Sequence, residues 1–236
     1  MRYGSIPAGG LGTRLQPIGF SKELAPVMGK AVIEYLLERL VLGGVDKIFI
    51  NTSSDKSDLI TYLSSKSIYK DHLIYMVRGR KGLFDGVATP SEFLRDDDEL
   101  YFGLPDTIWY PKDAFAQLSS VQSELVLGLF DTGTPERFDS VVVNKNGEMQ
   151  SIEVKVQKPK SVWTWAIGKM TVKAARAMRE FEYGADNQPR LFGDIMSDYL
   201  NVSAAKAVEL KQSSCLDIGI PSDYEKANSF VKDHEF

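Results

Sequence analysis

Between residues 7 and 27 the chain reads PAGGLGTRLQPIGFSKELAPV. Gly9, Gly10, Gly12, Thr13, Arg14, Pro17 and Lys22 stand together at a set spacing along it. Glycine lets backbone N–H groups close on a phosphate oxygen with no Cβ in the way. A guanidinium offers such oxygens a planar fork, and an ammonium offers a point charge. The stretch therefore points to phosphate chemistry. It is not a Walker loop, which needs G-x-x-x-x-G-K-[ST]. Nor is it the dinucleotide pattern G-x-G-x-x-G, because Leu15 stands where the third glycine belongs. The competing reading is a tight glycine turn with solvated charges.

The remaining chemistry-bearing residues narrow the choice. With only His72 and His234, the chain cannot build a histidine metal cluster. A metal here must be held by oxygen, which favours a hard cation such as Mg²⁺. The lone cysteine, Cys215, excludes an internal disulfide. A net charge of -4 supplies no basic field for nucleic acid. No apolar run approaches the roughly 20 residues that cross a bilayer, and no signal-peptide pattern opens the chain. These features predict a soluble cytoplasmic protein with no nucleic-acid or membrane partner.

The elements that must position these groups alternate between strand and helix. Tyr3 to Pro7 reads as a strand running into the glycine loop. Ala31 to Gly43 carries apolar residues at helical spacing, and Asp46 to Asn51 is again extended. This is a βαβ unit, with the loop at the carboxyl end of its first strand. Further on, the pattern predicts helices at 57–65, 86–94, 172–181, 194–200 and 222–232. It predicts strands at 72–77, 100–104, 125–130, 163–170 and 207–211, and a hairpin of 140–143 with 149–156 around Asn144 to Gly147. The fold class that follows is α/β: a mixed, mostly parallel Rossmann-like sheet flanked by helices, in one domain spanning residues 1–236.

The segment AGGLGTRLQP…SKELAPV resembles the signature of the sugar nucleotidyltransferases, G-x-G-T-R-L-x-P…P-K-x-L-x-P, with Ser21 in place of the proline before the lysine. Members of that family join a nucleoside triphosphate to a sugar 1-phosphate and release pyrophosphate. Three later segments extend the resemblance. KGLFDGVATPSEFL, Lys81 to Leu94, is similar to a G-L-x-x-A segment whose glycine, here Gly82, lets the base lie on the backbone. Arg78 or Gly79 falls near the place of the family's base-reading glutamine. LYFGLPDTIW and CLDIGIPSDYEKA place Asp106 and Asp217 where the family holds its metal, with Ile220 for the usual threonine.

The resemblance implies the GT-A-like fold of nucleotide-diphospho-sugar transferases without the C-terminal β-helix that some members carry. It implies backbone binding of the triphosphate by Ala8, Gly9, Gly10, Leu11, Gly12 and Thr13, with Arg14 and Lys22 as catalytic charges. It further implies Mg²⁺ on Asp106 and Asp217. The acceptor phosphate falls to Lys158, beside Pro159, or to Lys155 in a second alignment, with Gln157 in the place of the family's acid. Gly103 and Trp165 would line the acceptor side, although Trp163 and Trp165 share a strand face and core is the favoured reading of both. UTP or dTTP is the implied nucleotide. A homo-oligomer is a further expectation, since many members assemble. Two other readings stay open: transfer to a non-sugar phosphate such as an alcohol or choline phosphate, and a regulatory subunit that binds nucleotide sugar without turnover.

Overall fold

The computed structural model describes residues 1–15 and 18–235 of the chain, so Pro17 of the loop signature lies outside the described residues. The core is a nine-stranded mixed sheet. Its first strand, Arg2–Pro7, pairs in parallel with Lys47–Thr52 on one side and with Glu99–Gly103 on the other. Leu73–Val77 extends the parallel half beyond Lys47–Thr52. Trp163–Thr171 then runs antiparallel to Glu99–Gly103 and opens the other half, which holds Leu125–Asp131 and the hairpin of Asp139–Val143 with Met149–Val154. Because strand order reverses direction at Arg2–Pro7, the carboxyl ends of the parallel strands frame a crevice there, the place where open α/β sheets take ligands.

The Val32–Leu42 helix forms as its apolar periodicity predicts, and Ile33, Leu36, Leu37 and Leu40 are buried under the sheet. The Glu34 carboxylate accepts the Ala31 backbone N–H and satisfies one open donor at the helix start. The Ser57–Ser65 helix matches its expected bounds. Proline shortens the next one: the expected 86–94 helix is a short α-helix, Leu83–Ala88, followed by a 3-10 turn at Thr89–Glu92. Pro90 has no N–H to continue the ladder. The 172–181 helix likewise ends as α-helix at Met178 and finishes as a 3-10 turn, Arg179–Phe181.

One element matters most and was not anticipated. Thr107–Tyr110 pairs antiparallel with Ser214–Asp217 in a separate two-stranded ribbon. Asp217 faces Thr107 in this register, and the Ile218 N–H donates to the Asp106 carbonyl at 2.9 Å. Two carboxylates far apart in sequence thereby meet. Arg39, 1% exposed, fixes the ribbon from the helix side. Its Nε and Nη2 donate to the Trp109 carbonyl at 3.1 and 2.8 Å, and its Nη1 donates to the Tyr35 carbonyl at 2.8 Å.

Removing these donors leaves the buried Trp109 carbonyl without its side-chain partner. Arg39→Met is therefore expected to cost about 2–4 kcal/mol of unfolding free energy, since a buried charged hydrogen bond contributes roughly 1.5–3 kcal/mol and an orphaned acceptor adds to the loss. Urea denaturation reads this directly. A change below about 0.5 kcal/mol, the size of an ordinary surface substitution, would take Arg39 out of the account.

Candidate functional site

A cleft of about 610 Å³ lies at the carboxyl ends of the parallel strands. Pro7, Thr52, Met76 and Leu104 bring it to those ends, and Gly9, Gly10 and Arg14 bring the glycine loop over it. Gly12 is needed for structural reasons. Its φ is +64°, and a Cβ there would lie 3.0–3.1 Å from the Lys22 stem. Gly9 and Gly10 are different: a Cβ on either would meet protein only at ordinary contact, 4.0 Å from Asn51 and 3.9 Å from Lys22. Nothing among the described residues demands glycine at these two positions. What their bareness leaves open is the approach of a ligand to the backbone. Leu11, Thr13 and Arg14 are exposed on the same loop, whereas Ala8 is buried beneath it and its N–H donates to the Asn51 carbonyl.

Lys22 crosses under the loop and pairs with Asp106. It is held from both sides. The Ser21 N–H and hydroxyl both donate to Asp58 at 2.7 Å, so the serine that replaces the signature proline is an anchor. Glu23, fully buried, receives both of its bonds from the buried Lys56 ammonium at 2.7 Å. Burial works against the Lys22 charge, but the Asp106 carboxylate outweighs it and holds the ammonium pKa above its ordinary value. Asp217 lies close by without such a partner. Burial, and then the Asp106 charge, push its carboxyl up to about 6. The Arg14 guanidinium packs over Gly219, where a Cβ would lie 3.0 Å from Nη2, and favours the charged form of Asp217.

Two neighbouring carboxylates, one of them held less acidic by burial and by the charge of the other, suit a hard divalent cation. Mg²⁺ takes one or two carboxylates and leaves its other positions to phosphates and water. Among the described residues no group of three or more His, Cys, Asp or Glu could hold a metal, so a cation in this corner would have at most two carboxylates, Asp106 and Asp217, from the protein.

The far end of the cleft corrects two expectations. Lys158 is exposed and off the cleft, while Lys155 lines it. A backbone φ of +48° at Lys155 turns the chain there. Gly103 is not on the cleft wall. It is a packing glycine whose Cβ would come within 2.8 Å of Leu36 Cδ1. Trp165 answers to both of its readings, being 7% exposed within the core and also on the cleft wall. Gly82, at φ +121°, also lines the cleft, ahead of the Leu83–Ala88 helix. Sequence reasoning passed over Arg80, whose Nε donates to the Gly9 carbonyl at 2.6 Å while its guanidinium pairs with Asp55. It also passed over Asp139 and Arg137 on the cleft wall. Arg80 lies in a loop, Arg137 in a single 3-10 turn and Asp139 at the first position of its strand, places that carry no periodicity to single a charge out.

A family model described as nucleotidyl transferase matches residues 4–234 of the chain. A glucose-1-phosphate thymidylyltransferase of Neisseria meningitidis is 30% identical, over 97% of this chain and 82% of that protein. Among solved structures, a Bacillus anthracis chain determined in complex with sucrose superposes with a TM-score of 0.87 at 23% identity, covering 100% of this chain and 97% of that one. A UDP-glucose pyrophosphorylase complexed with UDP-glucose superposes with a TM-score of 0.82 at 19% identity, covering 99% and 100%. At these identities the two structures speak for the fold.

Two variants test the electrostatics. The Asp217 carboxyl titrates near 3.8 when exposed and near 6 when folded, so the folded protein binds this proton more tightly. Stability is therefore lost as pH rises through that window, by about 2–3 kcal/mol at roughly 1.4 kcal/mol per pKa unit. In chelator, Asp217→Asn is expected to recover most of this loss at pH 7.5 and to change little at pH 4.5. Equal shifts at the two pH values would contradict the reading. Lys56→Met leaves Glu23 buried without its partner and is expected to cost about 3–5 kcal/mol, measured by thermal or urea unfolding.

Proposed function

The chain belongs to the nucleotidyl transferase family, in its sugar nucleotidyltransferase branch, and from that premise we propose that it transfers a nucleotidyl group from UTP or dTTP to a sugar 1-phosphate, releasing pyrophosphate. The observation that carries the reading is the juxtaposition of the open glycine loop, Lys22, Asp106 and Asp217 around one cleft.

The proposed chemistry is in-line substitution at the α-phosphorus. An oxygen of the sugar phosphate attacks, and pyrophosphate leaves on the opposite side. The attacking group is ionised at neutral pH, so no general base is needed, in keeping with a site without histidine. The work left to the protein is positioning and charge neutralisation. Backbone N–H groups of the loop from Gly9 to Thr13 hold the triphosphate. Arg14 neutralises the leaving pyrophosphate. Lys22 is poised near the α-phosphate, its ammonium kept charged by Asp106. Mg²⁺ on Asp106 and Asp217 would supply charge stabilisation across the phosphate oxygens. Lys155 is the cation at the acceptor end and takes the acceptor phosphate. The base lies toward Gly82, where the backbone at φ +121° has no side chain to exclude it. The likeness to a glucose-1-phosphate thymidylyltransferase supports this reading and favours a pyrimidine nucleotide.

The test is Mg²⁺-dependent pyrophosphate release from UTP or dTTP with glucose 1-phosphate. Release that requires both substrates supports the proposal, and release from neither pair contradicts it. Lys22→Ala is expected to lower turnover by roughly 10²–10³, the usual cost of losing one well-aimed charge, with the protein still folded but its unfolding midpoint lowered, because Asp106 loses its ion-pair partner. Turnover within a few-fold of the parent would take Lys22 out of the mechanism.

A further inference from the structure

One guanidinium joins the loops that follow three neighbouring parallel strands. Gly9 follows Arg2–Pro7, Asp55 follows Lys47–Thr52, and Arg80 follows Leu73–Val77. Arg80 Nε donates to the Gly9 carbonyl at 2.6 Å, and its Nη2 pairs with Asp55. Arg80 also lines the cleft. Both loops that carry this ion pair are anchored. The Arg78 N–H donates to the Thr52 carbonyl at 2.9 Å, which ties the arginine's loop to the adjacent strand. Lys56, next to Asp55, donates its N–H to the Ser53 carbonyl at 3.0 Å and its ammonium to buried Glu23.

The glycine loop has little else to hold it. Ala8 is fixed on both sides: its N–H donates to the Asn51 carbonyl at 2.7 Å, and its carbonyl accepts from the Thr52 hydroxyl at 3.3 Å. The next backbone–backbone bond runs from the Leu15 N–H to the Gly12 carbonyl at 3.0 Å. From Gly9 to Leu11 the Arg80 contact is the one hydrogen bond that the loop makes among the described residues. Sterics do not orient this backbone either. Glycine rotates freely, and a Cβ at Gly9 or Gly10 would meet its surroundings only at ordinary contact. The Gly9–Gly10 peptide is trans and planar, so the Gly10 N–H points opposite to the Gly9 carbonyl. Pinning the carbonyl on Arg80 therefore fixes the direction of that N–H. No acceptor among the described residues takes it.

We infer that Arg80 is a positioning residue for the glycine loop: it holds the Gly9–Gly10 peptide with the Gly10 N–H turned to the triphosphate, and Asp55 holds Arg80 in place. This deepens the proposed function and rests on that reading for the loop as the cradle of the triphosphate. The task needs arginine. A planar fork serves a carbonyl and a carboxylate in one fixed plane, whereas an ammonium is a point charge on a flexible stem. Asp55 separates this role from a direct one. Beside a cation that touches phosphate, a carboxylate repels the phosphate and competes for the cation. Beside a cation that faces a carbonyl, it steadies the loop. Arg80 acts through Gly9 and takes no part in the phosphoryl step.

The test compares the parent with Arg80→Ala, Arg80→Lys and Asp55→Asn. Calorimetry with Mg²⁺ follows binding of inorganic triphosphate, the part of the ligand common to every nucleoside triphosphate. Pyrophosphate release follows turnover of UTP or dTTP with glucose 1-phosphate. Triphosphate binding is expected to weaken about tenfold in both Arg80 variants, the scale of one hydrogen bond to a charged group. In Asp55→Asn it is expected to weaken about threefold, since an exposed ion pair contributes less. The KM for nucleotide should rise in step while the KM for glucose 1-phosphate stays within about twofold, a split that a general loss of structure would not give. Unchanged or tighter triphosphate binding in Asp55→Asn overturns the positioning role. So does parent-like binding in Arg80→Lys, because charge alone would then suffice. In both cases turnover by the parent leaves the transferase reading standing. Weaker triphosphate binding in all three variants, with no turnover by the parent, keeps the positioning role and removes the transferase reading. Failure of the parent to bind triphosphate overturns the positioning role.

Discussion

Two carboxylates and one ammonium share a partly buried corner of the cleft, and the rest of the molecule is arranged around keeping them there. Asp106 and Asp217 repel each other and both lose water on folding. Lys22 offsets one of the two charges, and the other is left with its carboxyl pushed up to about 6. Such a corner is stable only if its parts cannot drift. The ribbon of Thr107–Tyr110 with Ser214–Asp217 fixes the carboxylates, Arg39 fixes the ribbon, and the Ser21–Asp58 and Glu23–Lys56 contacts fix the lysine. The electrostatic cost stored here is what a divalent cation would relieve.

The two ends of the cleft differ in character. At the loop end the backbone is bare, and the proposed binding of phosphate depends on glycine and fixed cations. At the acceptor end the wall is aromatic and acidic, built from Trp165, Phe192 and Asp139 around Lys155. The division follows the sheet. Parallel strands deliver the loop end, and the antiparallel half delivers the acceptor end through Trp163–Thr171 and its neighbouring hairpin.

Much of the loop end was legible in the sequence because its physics is local. A strand, a glycine turn, an amphipathic helix and a second strand follow one another within the first 52 residues, and each leaves a periodic or compositional mark. Asp106 was legible because it ends a buried apolar strand. The acceptor end was not. The choice of Lys155 over Lys158 turns on a left-handed backbone at Lys155, which lysine rarely adopts and sequence does not announce. The Asp106–Asp217 ribbon escaped because its strands are four residues each, and the first is wholly buried, so it shows no alternation. Gly103 read as a ligand glycine because the need of Leu36 for its space exists only in three dimensions. Ser21 looked like a neutral replacement for proline, and its worth lies in Asp58, on a helix far along the chain.

The account's central claim is that Asp106 and Asp217 form the cation site facing the triphosphate. Calorimetric titration of dTTP with and without Mg²⁺, on the parent and on Asp217→Asn, tests it most directly. The account predicts that Mg²⁺ strengthens nucleotide binding to the parent by about tenfold or more, as expected when a carboxylate pair and the phosphates share the ion. In the variant that gain should disappear, with metal-free binding no weaker than the parent's. An equal gain from Mg²⁺ in both proteins would contradict the claim and place the ion elsewhere.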